Sequence, residues 1–312
     1  MTEADASTPA GSGGPGGGSG PPGPDPASLP IRNRTARFAW AAITVLLVGV
    51  VALVVYALTG SPTAERTVRP APASGSVVAT VSGVPGTAFD TVGVTATGTP
   101  LVPPTVLTGQ PQLLSAGKPE VLWVGAEFCP FCGAERWPLI VALSRFGRFT
   151  GLGDMQSSSS SVFPSVQTFT FVGASYTSRY LTFAGVELYS DVADTDGAFT
   201  RIARLSPAQA ALVGRYGAST GAPTGSLPFV DIDNRMVAST SGFSPAVLVG
   251  TSQSAIAGQL TQPDQPGQQA GTAIVASANY LTAGICAATG QQPASVCASK
   301  GVRAAGQALG SA

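Results

Sequence analysis

The chain has 312 residues, with 16 basic and 16 acidic side chains, four cysteines and no histidine. Balanced charge provides no basic field for nucleic acid, so no nucleic-acid partner is predicted. Without histidine, a Ser-His-Asp or Cys-His nucleophile, a histidine-containing zinc site and a CxxCH haem attachment are excluded.

The N-terminal 30 residues contain eight glycines and seven prolines and almost no apolar side chains. A segment of this composition cannot bury enough apolar surface to offset its chain entropy. Residues 1–37 are therefore predicted to form a disordered tail.

Residues 38–58 form an uninterrupted stretch without a charged side chain. As a helix this stretch would be about 31 Å long, which matches one bilayer core. Trp40 and Tyr56 lie near its two ends, where interfacial aromatic residues are common. A cleavable signal peptide is the alternative, but its apolar core is usually about 7–15 residues long. The pattern predicts a single transmembrane helix.

The orientation of this helix follows from the arginines around it. Arg32, Arg34 and Arg37 precede it closely, whereas Arg66 and Arg69 follow at a greater distance. The positive-inside rule then predicts a single-pass protein of the cell membrane with a cytoplasmic N-terminus. Residues 59–75 would be a linker, and residues 76–312 an extracytoplasmic domain.

Within that domain, residues 76–81 are predicted to be a short strand. Residues 120–128 form a nearly continuous apolar run, as in a strand that is buried on both faces. Residues 130–149 have helical spacing, with a kink expected at Pro138.

Later segments continue the alternation of strands and helices. The predicted order is two strands, a helix, a hairpin and two further helices, over residues 168–173, 181–189, 206–216, 227–237, 244–260 and 271–288. The alternation predicts an α/β fold.

The motif Cys129-Pro130-Phe131-Cys132 lies between the predicted buried strand and the helix. Two cysteines at this spacing can form a reversible thiol–disulfide couple that needs no metal and no cofactor. The start of a helix lowers the pKa of the first thiol. Two alternatives are a four-thiolate zinc site that includes Cys286 and Cys297, whose spacing is unusual for zinc, and a static disulfide.

A strand, a CPFC motif, a kinked helix and a later Pro228 before a hairpin resemble the thioredoxin-like fold. The predicted anchor, the block GAEFCPFCGAERW and the serine-rich loop at 157–161 are similar to an uncharacterised family. That family, a domain of unknown function, consists of membrane-anchored thioredoxin-like proteins of actinobacteria and archaea. The resemblance covers residues 76–262, with an insertion at about 175–222. C-terminal helices are predicted over residues 244–304 of the extracytoplasmic domain.

The resemblance implies roles for four residues. Cys129 would be the nucleophile, Cys132 the resolving thiol, Pro228 a cis-proline and Leu227 a backbone partner for the substrate. Phe128 departs from the tryptophan that many thioredoxins have before the first cysteine.

Charged side chains around the motif are expected to be solvated. Glu127 and Glu135 flank the cysteines, and assistance in proton transfer is the alternative to solvation. Arg136, Arg145 and Arg148 are expected on the exposed face of the helix.

Cys286 and Cys297 bracket a ten-residue loop. In an exported domain they are predicted to form a structural disulfide that contributes about 3 kcal/mol. The alternative is a second redox pair that exchanges electrons with Cys129 and Cys132.

The leading hypothesis is a membrane-anchored thiol–disulfide oxidoreductase that acts outside the cytoplasm. Its expected partners are thiols or disulfides of exported proteins and a redox partner protein. Two other hypotheses are a non-enzymatic binding or assembly module at the cell surface and a chaperone that binds Cu(I) through the CxxC thiols.

Overall fold

The computed structural model describes residues 70–217 and 225–310, which lie in one compact unit, Glu65–Ala312. The predicted tail, the predicted transmembrane helix and most of the predicted linker lie outside the described residues.

Helices and strands alternate along the described residues. The α-helices are α1 Gly75–Ser82, α2 Gly86–Val92, α3 Pro130–Ser144, α4 Pro207–Tyr216, α5 Gln253–Gln259, α6 Gln269–Ala288, α7 Ala294–Cys297 and α8 Lys300–Ala308. The strands are β1 Thr105–Val106, β2 Leu114–Ser115, β3 Lys118–Gly125, β4 Gly147–Thr150, β5 Gly153–Gln156, β6 Gln167–Thr170, β7 Ser175–Ser178, β8 Thr182–Glu187, β9 Tyr189–Ala193, β10 Phe199–Arg201, β11 Phe229–Ile232 and β12 Met236–Ala238.

A mixed sheet forms the centre of this α/β architecture. Its main strand order is β8-β3-β11-β12-β1, and β2 also pairs with the start of β3. The β3–β8 pair is parallel, whereas β11 is antiparallel to both β3 and β12. Three two-stranded sheets, β4–β7, β5–β6 and β9–β10, surround it.

Both faces of the central sheet are covered, as the apolar run at 120–128 predicts. Val121, Trp123 and Val230 belong to the main core, which also contains side chains of α3 and α6. Leu122 and Phe229 belong to a smaller core on which α4 packs. Because alternate residues of a strand point to opposite faces, an apolar residue at every position requires two covering layers.

Helix α3 is shorter than the 20 residues predicted for it. It ends at Ser144, and Gly147–Thr150 forms β4, which pairs with β7. A Cβ on Gly147 would collide with the carbonyl oxygen of Thr177 on β7. The glycine therefore permits a close approach of two strands, which helical periodicity does not reveal.

The prediction of a strand at residues 76–81 is wrong, since these residues lie in α1. Val77 and Val81, four residues apart, are both buried in the main core. The valine-rich composition favours a strand, but burial of one helical face against α3 and α5 outweighs that modest preference.

The single helix predicted over residues 244–260 is two shorter elements. A 3-10 helix, Pro245–Leu248, is followed by α5 after a turn in which Gly250 has a φ of 75°. The residues predicted as an insertion, 175–222, include β8, which is a strand of the central sheet.

One helix among the described residues, α6, is long and apolar enough to cross a membrane by length and composition. Most of its residues are buried inside the protein, as in the core helix of a water-soluble domain. This is weak evidence for a membrane span, and the helix is C-terminal rather than N-terminal.

Candidate functional site

The two cysteines of the CPFC motif lie where β3 leads into α3. Cys129 is the N-cap of α3, and Pro130 occupies the first turn, where a missing N–H costs no hydrogen bond. The Cys129 Sγ accepts a hydrogen bond from the Cys132 backbone N–H at 3.4 Å. Both thiols are free, and Cys129 is 9% exposed whereas Cys132 is fully buried. Cys129 is thus the thiol that a partner can reach.

Leu227 and Pro228 are next to Cys129, although 98 residues separate Leu227 from it in sequence. The Leu227–Pro228 peptide bond is cis. The Cys129 thiol donates a long hydrogen bond to the Leu227 carbonyl oxygen, at 3.9 Å. The structure therefore brings together the four residues that the sequence predicts for the site.

The two thiols differ strongly in acidity. Hydrogen bonding from Cys132 lowers the pKa of Cys129 to about 7, although burial opposes this change. Burial raises the pKa of Cys132 well above its ordinary value, and the contact with Cys129 adds to that rise. At neutral pH Cys129, the more accessible sulfur, is therefore partly ionised, whereas Cys132 keeps its proton.

Arg136 lies behind the cysteines and is fully buried, contrary to the predicted exposed position. Its Nε and Nη2 donate to the Glu187 carboxylate at 2.9 and 2.7 Å, and Nη2 also donates to the Ala126 carbonyl oxygen. Trp123 donates its indole N–H to the same carboxylate at 3.0 Å. Burial opposes the charge on Arg136, but the Glu187 carboxylate, together with Cys132 and Glu127, outweighs it, so the pKa of Arg136 is raised.

Glu127 is buried as well, so its predicted solvation is wrong. Thr170 donates its hydroxyl to Glu127 Oε1 at 2.6 Å. Burial raises the pKa of Glu127 to about 7, even though this hydrogen bond and Arg136 favour the carboxylate. A carboxyl group that exchanges protons at neutral pH thus lies two residues before Cys129.

The prediction of solvation is also wrong for Glu135, which is almost completely buried. Its Oε2 accepts a hydrogen bond from the Gly242 backbone N–H at 2.7 Å. Burial raises its pKa to about 8, so the carboxyl group is largely protonated at pH 7.

Two other arginines were predicted on the exposed helix face. Arg145 is mostly buried, with its guanidinium 3.9 Å from the centre of the Phe89 ring, and burial lowers its pKa to about 10. Arg148 is exposed, but it lies on strand β4 and not on the helix for which it was predicted.

Helical spacing is the one feature of the sequence that indicates the burial of Glu135 and Arg136. They follow Cys132 by three and four residues, so they share its buried face. Nothing local in the sequence indicates Glu187 or Thr170, because only the tertiary fold brings them to this position.

Aromatic side chains surround Cys129. Phe128 stacks on Phe199 with ring centres 4.1 Å apart, and Phe131 contacts Phe163 edge-on at 5.7 Å. The serine-rich loop is fixed beside them, since the Ser158 backbone N–H donates to the Phe128 carbonyl oxygen. Partly buried aromatic side chains therefore border the CPFC motif.

Cys286 and Cys297 form a disulfide that joins the end of α6 to α7. They are therefore not available as thiolates for a zinc site with Cys129 and Cys132. Residues 70–217 and 225–310 contain no group of three or more His, Cys, Asp or Glu side chains arranged to hold a metal ion.

These features define a mixed α/β protein with a pair of unequal thiols at the start of a buried helix. A family model described as a domain of unknown function (DUF929) matches residues 105–197, a stretch that includes both thiols, Arg136 and Glu187. No curated protein and no solved structure matches the chain.

Proposed function

We propose that this chain is a membrane-anchored thiol–disulfide oxidoreductase that acts on protein cysteines outside the cytoplasm. The observation that carries the proposal is the geometry of Cys129: an N-cap thiol, hydrogen-bonded by the Cys132 N–H and next to the Leu227 carbonyl oxygen.

A thioredoxin-like fold is part of the proposal, and the topology of the sheet supports it. The parallel pair β3–β8 is connected through α3, and the antiparallel hairpin β11–β12 continues the sheet on the other edge of β3. This is the arrangement that the resemblance in sequence implies, with the cysteines at the start of the first crossover helix.

The acidities of the two thiols support a stepwise exchange. The Cys129 thiolate attacks one sulfur of a client disulfide, forms a mixed disulfide and expels the other client sulfur as a thiolate. Cys132 then loses its proton and attacks the Cys129 sulfur, which forms the Cys129–Cys132 disulfide and releases the second client thiolate. Two electrons pass from the protein to the client, and the same steps in reverse oxidise a client.

We assign to Glu127, which is buried two residues before Cys129, the role of accepting or returning the proton that Cys132 must lose. Its pKa of about 7 lies near the operating pH, where a proton acceptor is most effective. Arg136 favours the Cys132 thiolate, since its positive charge lowers the pKa of that thiol.

A location outside the cytoplasm is supported by the uncharged stretch at 38–58 and its flanking arginines. The Cys286–Cys297 disulfide is also typical of an oxidising compartment. Labelling intact cells with a membrane-impermeant thiol reagent tests this: a reduced Cys129 must react in intact cells. Labelling only after lysis would contradict the location.

The trapping experiment for the function uses Cys132→Ser in the full chain. A mixed disulfide through Cys129 should accumulate, because the resolving thiol is missing. It should be visible on a non-reducing gel, disappear with reductant and be absent from Cys129→Ser. If Cys132→Ser traps no thiol-dependent adduct, the enzymatic proposal fails.

The reduction potential of the Cys129–Cys132 pair distinguishes an enzyme from a binding module. Known exchangers lie between about −270 and −120 mV, and a value far below this range would favour a module with a static disulfide. Metal analysis of the purified chain tests the Cu(I) chaperone hypothesis.

A further inference from the structure

A cleft lies on the side of the domain formed by the end of β8. Its main cavity has a volume of about 960 Å³, and apolar atoms form most of its surface. Parts of β5, β6, β8 and β9 and the segments around residues 171–174 and 200–204 form its walls.

The cleft is acidic. Five acidic residues line the main cavity, against one basic residue, Arg204; they are Glu127, Asp154, Glu187, Asp191 and Asp194. Among the described residues, only Glu187 of these five forms an ion pair, with Arg136. Glu127 is buried with a pKa of about 7, so the excess negative charge of the cleft rests on the three aspartates. The cleft thus combines a largely apolar surface with excess negative charge.

The cleft reaches residues that neighbour the CPFC motif in the chain or in space. A second cavity of about 360 Å³ shares Gln156, Asp191 and Ala193 with the first and is also lined by the serine-rich loop and Phe199. Phe199 stacks on Phe128, the residue before Cys129. Glu127, two residues before Cys129, lines the main cavity.

An extended peptide could also pair with an edge of strand β8 at this cleft. Residues Gly185 to Glu187 of β8 line the main cavity, and β8 pairs with β3 along one edge only. Within residues 70–217 and 225–310, no strand pairs with its other edge. Such an edge can pair with an extended peptide through backbone hydrogen bonds.

We propose that this acidic cleft binds an extended segment of the client that carries basic side chains next to the reacting cysteine. The inference rests on the proposed function and names the substrate class of the same site. Apolar walls accommodate the stems of lysine and arginine, while Asp154, Asp191 and Asp194 face their charges.

A polypeptide fits the cleft better than a metal ion. The carboxylates do not form a cluster that could hold a metal within the described residues. A volume of about 960 Å³ and a second cavity that adjoins it beside Phe199 instead suit several residues of a chain.

The test uses three peptides of one sequence whose single cysteine is joined to 5-thio-2-nitrobenzoate by a disulfide. Three positions near the cysteine are Lys, Gln or Glu. Release of thionitrobenzoate by the reduced full chain gives a second-order rate constant for each peptide. At low salt the rate constant of the Lys peptide should be at least about ten times that of the Glu peptide. Each surface charge pair contributes a factor of up to about five to this ratio.

The cleft variant Asp154→Asn/Asp191→Asn should reduce this preference to about threefold or less. Asp191→Asn alone is compared with Asp264→Asn, which removes an equally negative, exposed side chain outside the cleft. Asp264→Asn should leave the preference unchanged. High salt should also weaken the preference, because it screens exposed charges.

Equal rates for the three peptides, or a preference that survives in the cleft variant, would overturn the inference. These outcomes differ from failure of the proposed function. If the reduced chain reacts with the Gln peptide but shows no charge preference, the oxidoreductase proposal stands without this substrate class. If no peptide reacts through Cys129, the proposed function itself fails.

Discussion

Arg136 and Glu187 form a fork of two hydrogen bonds, at 2.9 and 2.7 Å, and neither side chain contacts solvent to more than 1% of its surface. Glu187 is the last residue of β8, and Arg136 lies one turn after Cys132 in α3. The pair therefore links the parallel strands and the helix that carries the thiols.

Breaking the ion pair between Arg136 and Glu187 should destabilise the folded protein. Arg136→Met leaves the Glu187 charge buried without its partner, and the free energy of unfolding should fall by about 3–5 kcal/mol. The double variant Arg136→Met/Glu187→Met should regain most of this loss, because apolar side chains of similar size replace both charges. Urea unfolding measures the free energy of unfolding of the single and the double variant. A double variant as unstable as the single one would show that the ion pair is not the cause.

The acidity of Cys129 is expected to depend on Cys132. Alkylation of Cys129 by iodoacetamide should follow a pKa of about 7. Cys132→Ala removes the side-chain hydrogen bond that is the largest cause of this low value, so the pKa should rise and the rate at pH 7 should fall roughly tenfold. Cys132→Ser is the matched control, since the serine hydroxyl can still donate a hydrogen bond to the Cys129 sulfur. The alkylation rate of Cys129 should therefore fall less in this variant. Equal rates in all three proteins would contradict this explanation.

Stability should decrease with rising pH because of Glu135. Its pKa is about 8 in the folded protein but about 4.5 in the unfolded chain, so the folded state binds the proton more tightly. Its contribution is complete below about pH 4.5 and is lost as the pH rises towards and through 8. Glu127 and Asp231, whose pKa values burial raises to about 7, act in the same direction.

The variant Glu135→Gln isolates this contribution, because the amide oxygen can still accept from Gly242 but carries no titrating proton. Between pH 5 and pH 8 the unfolding free energy of the variant should rise by a few kcal/mol relative to that of the parent protein. This figure follows from about 1.4 kcal/mol per unit of pKa difference. A difference independent of pH would mean that Glu135 is ionised throughout.

Removal of the Cys286–Cys297 disulfide should affect stability and leave the reactive thiol intact. Cys286→Ser/Cys297→Ser should lower the unfolding free energy by about 3 kcal/mol in the chain-entropy model. Alkylation of Cys129 should keep its rate and pH dependence. A change in the rate of Cys129 would instead indicate that the two cysteine pairs are coupled.

Local patterns were sufficient for much of the fold. The apolar run at 120–128 predicted β3, and Ser206 with Pro207 predicted the start of α4, where Ser206 caps the helix. The hairpin at 227–237 is present as β11 and β12. Each of these sequence patterns spans only a few residues, so neighbours in the chain are enough to determine the local structure.

Residues 76–81 and the charged side chains near the motif were predicted wrongly for a common reason. Val77 and Val81 are helical because other elements bury them, and Glu127, Glu135 and Arg136 are buried because strands and loops cover them. Propensity scales and the usual exposure of charged residues describe average surroundings, not the neighbours that a particular fold supplies.

The sequence by itself determined the spacing of Cys129 and Cys132, their place before a helix and the absence of histidine. Only the tertiary structure decided how the two thiols differ. Cys132 is buried in a core built from most of the described chain, and the positions of Arg136, Glu187 and Glu127 depend on contacts between residues up to 64 apart. Thiol acidity depends on charges and solvent within a few ångströms, and only the folded chain sets these distances.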